Sequence, residues 1–156
     1  VQLIMYIDQT TETALWVSLV QEGQRRSGTT LSEQAESHTV FMLMRHMHNT
    51  HLLDIPVASL YLKSLEEKDT VKALHLEKTG DHALLIAGLF PERHIRARVS
   101  ADYFLSMSQI AYISLSDVFE KLRHYKEAEY YALIATKAED ITHVLTCSRK
   151  PPMETP

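Results

Sequence analysis

Residues 79–98 read TGDHALLIAGLFPERHIRAR, and the fold turns on this stretch. An apolar run with a glycine near each end meets a proline and then three arginines in six residues. It can be a phosphate-binding turn, a membrane hairpin or a corner between two helices. A phosphate loop needs a glycine-rich turn followed by Lys-Ser/Thr, and a dinucleotide turn needs G-x-G-x-x-G after a strand. Gly80 and Gly88 are eight apart and no strand pattern precedes them. The apolar run from Ala83 to Phe90 is also far short of the roughly 20 residues that a membrane helix requires. The corner remains: a buried helix ends ahead of Pro91, because the residue before a proline disfavours helical geometry.

Working outward, helical spacing continues on both sides. Gly80, Ala83 and Ala87 share one face, with Gly88 beside them, and such a face lets a neighbouring backbone approach closely. The helix after the corner, opening near Ser100 and Asp102, offers small residues to match, Ser108 and Ala111 among them. Its bulky residues go nearly all the way round, which predicts a central position. Gly80, Ala83, Ala87, Gly88, Pro91, Ser108 and Ala111 are therefore the expected helix-contact residues. Other helices are predicted over residues 11–25, 32–48, 56–67 and 124–146. Ser32 caps the second and Pro56 opens the third, with Asp54 as its cap. The expected fold is all-α, a single domain over residues 1–147 built as an irregular bundle of about six helices. Residues 148–156, rich in proline, read as a disordered tail.

The run GDHALLIAGLFPERHIRARVSADYFLSMSQIAYISLS is similar to an uncharacterised family of small bacterial all-helical proteins with no assigned function. Gly80, Asp81, Gly88, Phe90, Pro91, Tyr103, Phe104, Ala111 and Tyr112 carry the resemblance, which covers about a quarter of the chain. Ser108 stands where the family pattern has glycine. The resemblance implies an all-α fold in a bacterial cytoplasm and brings no activity with it.

Bulk properties remove several functions. The 156 residues carry a net charge of −4, with a pI near 6.1, against the basic footprint of a nucleic-acid binder. A single cysteine, Cys147, can form no internal disulfide, which fits a reducing, cytoplasmic setting. The longest uncharged stretch is 14 residues, Tyr103 to Ser116, with four serines, so no membrane span is expected. Residues 1–7 are apolar but lack the basic start and small-residue cleavage site of a signal peptide.

Nine histidines raise the question of metal. His46, His48 and His51 are the densest cluster, but helical positions two apart diverge and no acidic or thiolate partner is evident. Glu120 with His124, and Glu139 or Asp140 with His143, sit at helical spacing, yet Glu-x-x-His, the signature of di-iron bundles, does not occur. There is no nucleophile elbow of the Gly-x-Ser-x-Gly kind. Arg93, Arg96 and Arg98 form a basic corner that reads either as an anion contact or as a solvated patch pairing with Asp81, Asp102 or Glu77. No catalytic set, no cofactor and no nucleic acid are expected. Three functions stay open: a non-enzymatic protein acting through protein contacts, as a homodimer or with a bacterial partner, Trp16, Val17 and residues 1–7 offering surface; a small-molecule or metal-binding bundle using His and Tyr residues; and an anion or RNA contact through the arginine corner.

Overall fold

The computed structural model describes residues 2–48, 50–100 and 102–149, with the side chains of residues 2–10, 50, 52 and 94 excepted. Among the described residues seven α-helices follow in order: α1 (Gln2–Ser27), α2 (Glu33–Met47), α3 (Val57–Leu65), α4 (Asp69–Leu89), α5 (Arg93–Ala97), α6 (Tyr103–Lys121) and α7 (Tyr125–Ser148). A 3-10 turn, Thr50–Asp54, precedes α3, and no strand occurs among the described residues. The expected all-α bundle is what the chain forms.

Local chemistry explains most boundaries. Ser32 caps α2, its hydroxyl accepting from the Ala35 amide at 3.2 Å, with Glu33 and Glu36 in the first turn against the helix dipole. The Phe90 amide bonds back to Ile86 at 3.0 Å, and Pro91 then ends α4. Arg98 and Arg123 take left-handed backbone, φ 57° and 62°, just beyond α5 and α6. A left-handed residue at this position stops a helix, although glycine usually fills it.

Helix α4 is the axis of the bundle. From Thr79 to Ile86 every residue is buried. Its neighbours are α3, α6 and α7, and the α4–α6 pairing is the most extensive in the molecule, with α6–α7 close behind. A single core draws Val20 from α1, Met42 and Leu43 from α2, Leu84 and Leu85 from α4, Leu115 from α6 and Ile134, Ile141 and Leu145 from α7.

The small residues of α4 serve two neighbours. A Cβ at Gly80 would lie 2.6 Å from the Tyr112 ring of α6, and one at Gly88 would lie 2.6 Å from Leu145 of α7. Ala83, Ser108 and Ala111 are fully buried, whereas Ala87 and Pro91 are only partly covered. Gly23 makes an unexpected third close approach, its missing Cβ standing 2.4 Å from the Val144 carbonyl of α7.

Several expectations change. Helix α6 is not enclosed on all sides: Ile110 and Ile113 are exposed, the latter at 52%, so only α4 is central. Helix α1 starts at Gln2 rather than residue 11, because Asp8, Thr10 and Thr11 do not break a helix that nothing else interrupts. The side chains of residues 1–7, expected as contact surface, lie outside the described residues. Trp16 and Val17 are partly buried and pack against the core. Pro56 is itself the N-cap of α3, and Asp54 turns to Arg93. Asp102, not Ser100, precedes α6. Helix α7 continues through Ser148; residues 150–156, most of the expected tail, lie outside the described residues.

Candidate functional site: a closed polar centre and an open cleft

The first constellation is built on Asp81. It lies on α4 with Leu84 and Leu85 three and four residues on, so the core-facing stripe carries it inward, and it is 1% exposed. Tyr112 of α6 donates to Asp81 Oδ1 at 2.6 Å. Arg45 Nη2 and His46 Nε2, both from α2, reach Oδ2 at 2.9 and 3.1 Å. His38, two turns earlier on α2, sits with Nε2 3.2 Å from the Tyr112 hydroxyl and Nδ1 2.8 Å from the Tyr130 hydroxyl of α7. One assignment of protons completes the chain. Tyr130 donates to His38 Nδ1, His38 Nε2–H donates to Tyr112, and Tyr112 donates to Asp81.

The electrostatics follow from this geometry. Burial alone would raise the Asp81 pKa. His38 Nε2, 3.5 Å from Oδ1, together with His46 and the Arg45 guanidinium, overrides it and holds the carboxyl well below the usual carboxylate range. Burial, reinforced by the Asp81 charge, pushes the Tyr112 hydroxyl well up and Tyr130 to about 12. Glu77, one turn before Asp81, is raised by burial and by the Asp81 charge, with Arg45 opposing. These hydroxyls are donors at neutral pH, not bases. Both carboxylate oxygens are occupied. The arrangement ties α2, α4, α6 and α7 together.

This centre corrects two expectations. Asp81 and Glu77 do not meet the corner arginines; they meet Arg45. The histidine cluster does not gather: His46 turns in to Asp81, His48 pairs with Glu12 of α1, and His51 is exposed in the 3-10 turn. Among the described residues no group of three or more His, Cys, Asp or Glu is placed to hold a metal ion. Glu120, His124, Glu139, Asp140 and His143 are exposed and form no ion pair with one another or with another described residue. The aromatic wall of the centre is Tyr112, Tyr131 and Phe119, stacked in sequence at 6.1 and 5.7 Å.

The second constellation is a cleft of about 380 Å³ at the corner where α3, α4, α5 and α6 meet. Val57, Ile86, Val99 and Phe104 give it an apolar floor, and Tyr103 stands at its side. Its rim carries Arg93, Arg96 and Asp54. Arg93 is committed: Nη1 donates to the Leu53 carbonyl at 3.1 Å and Nη2 lies 3.6 Å from Asp54. The same carbonyl accepts from His82 Nε2 at 3.2 Å. His82 is fully buried, its Nδ1 has no partner, and burial with the nearby Arg93 charge holds its pKa down to about 4, although the Leu53 bond opposes this. Arg96 is different, since no described carboxylate or carbonyl pairs with its guanidinium. Arg98 does not line the cleft, and the His94 side chain lies outside the described residues. The three arginines thus do three different things rather than forming one patch.

Neither a family model, nor a curated protein, nor a solved structure matches the chain.

Proposed function

We propose that this chain is a non-catalytic binding protein whose ligand occupies the corner cleft. The observation that carries the reading is the contrast between the two constellations. Asp81, Tyr112 and His38 are buried and hold one another with Arg45, His46 and Tyr130, whereas the cleft is open, apolar at its floor and edged by a cation with no partner among the described residues. Its volume lies in the range of small-molecule pockets, roughly 300–1,000 Å³, and a few polar groups over an apolar floor are the usual composition. No helix among the described residues is long and apolar enough to cross a membrane. A cytoplasmic protein, with Cys147 reduced, and a bacterial relationship through the residues around Gly80 and Pro91 belong to the same proposal.

Ala97 lines the cleft and is exposed, so a large side chain there fills the cleft without entering the core. The test is binding of the neutral dye Nile red, followed by its fluorescence. The wild type enhances the fluorescence and Ala97→Trp loses the enhancement. Equal binding to both proteins rejects the cleft as the site.

A second reading rests on Leu62 and Leu65 at the end of α3 and Val71 and Leu74 at the start of α4. All four are exposed, and only residues 66–68 separate the two helices. Apolar exposure of this kind marks protein contact surfaces, and it supports the homodimer or partner reading. Sedimentation velocity decides it: a monomer at micromolar concentration, unchanged by Leu65→Glu, removes the self-association form.

A further inference from the structure

Taking the cleft as the binding site, we infer that its ligand is a small acid-headed amphiphile, with a carboxylate or phosphate at Arg96 and an apolar body over the floor. The claim rests on that reading of the cleft and adds the chemistry of the occupant.

Three features point to an anion. The rim carries two guanidiniums and one carboxylate, a surplus of one positive charge. Arg93 is the cation that Asp54 neutralises, and it also holds the Leu53 carbonyl, which leaves the surplus on Arg96. A free guanidinium offers parallel N–H donors spaced for the two oxygens of a carboxylate or phosphate. Pro56, Val57 and Ala58 also line the cleft, and they form the start of α3, which has no side-chain cap. The positive end of that helix dipole therefore adds to the Arg96 field. Beneath this rim, Val57, Ile86, Val99 and Phe104 offer no polar side-chain atom, so the rest of the ligand must be apolar.

Size narrows the class further. At about 380 Å³ the cleft lies near the small end of ligand pockets, which favours a compact molecule. A nucleotide would leave its polar base and sugar against the apolar floor, where unpaired polar groups cost affinity. A single acid group on a compact hydrocarbon or aromatic body fits both constraints.

The experiment is isothermal titration calorimetry of the wild type and Arg96→Gln with decanoate, decyl phosphate and decanol, each at submicellar concentration. Arg96 is exposed, so the substitution leaves the fold intact, which circular dichroism checks. The expected result is that at least one acid binds the wild type about tenfold more tightly than decanol. The preference disappears in Arg96→Gln, survives in part in Arg96→Lys, and weakens as salt is raised. The tighter of the two acids identifies the head group. Equal binding of decanol and both acids, unchanged by Arg96→Gln, overturns the inference while leaving the cleft as an apolar site. No binding of any of the three overturns both the inference and the cleft reading.

Discussion

Replacing Asp81 by Asn removes one charge and one acceptor at a position that is 1% exposed. The carboxylate accepts from Tyr112 at one oxygen and from Arg45 and His46 at the other. An amide keeps a single oxygen. If it faces Arg45 and His46, the amide NH₂ takes the place of the Tyr112 acceptor. If it faces Tyr112, Arg45 and His46 both lose theirs. Breaking a buried ion pair by removing one partner costs about 3–5 kcal/mol. Arg45 is 46% exposed and can turn to water, so the lower end applies, about 3 kcal/mol. For a chain of this size that lowers Tm by about 6–12 °C. The pH dependence sharpens the test. The folded pKa of Asp81 lies below its ordinary value of 3.8, so its stabilising contribution is complete above that value. The contribution is lost as pH falls below it, at about 1.4 kcal/mol per pH unit. Urea unfolding at pH 7 and again near pH 3 should therefore show a gap between wild type and Asp81→Asn that narrows in acid. A gap under about 1 kcal/mol at pH 7, or one that does not change with pH, refutes the structural role assigned to this centre.

His82 should produce a separate limb of the pH profile. Its folded pKa of about 4 lies below the ordinary 6.5, so the unfolded state binds the proton first and stability falls as pH drops from 6.5 to 4. His82→Leu should flatten that limb in urea titrations and leave the one below pH 4, whereas a limb that persists assigns it to another group. Gly80→Ala forces a methyl to within 2.6 Å of the Tyr112 ring and should cost about 1–3 kcal/mol by chemical denaturation. Gly23→Ala meets the Val144 carbonyl, a backbone atom that cannot swing aside, and should cost at least as much in the same assay. Arg96→Gln, in contrast, should leave Tm within about 1–2 °C of wild type, because its guanidinium holds nothing in the fold.

The helices were legible in the sequence because their signals are local. Pro91 stops α4 and Ser32 caps α2 as their neighbours dictate, whereas α1 begins nine residues earlier than its helical spacing predicts. Gly80 was recognisable as a contact residue, but its partner, Tyr112, depends on the α4–α6 register. The sense of Asp81 was open to misreading. Its helical neighbours Leu84 and Leu85 point inward, and His38 keeps the same company, with Ala35 and Met42 at helical spacing. Both patterns were there, but proximity along the chain favoured pairing Asp81 with the corner arginines. Its partners come instead from α2 and α6, more than thirty residues away. The cleft was invisible for a related reason: four elements enclose it, and no one of them carries a motif. Arg93, Arg96 and Arg98 read alike in the sequence, and only the fold separates the one that lines the cleft without a partner.

The central claim is that ligand binds at the corner cleft and not at the polar centre or on the α3–α4 surface. Amide chemical-shift mapping of ¹⁵N-labelled protein titrated with decanoate tests it most directly. The account expects saturable shifts concentrated at Val57, Arg96, Ala97, Val99 and Phe104. Shifts centred on Arg45, His46 and Asp81, or on Leu62, Leu65 and Val71, would contradict it.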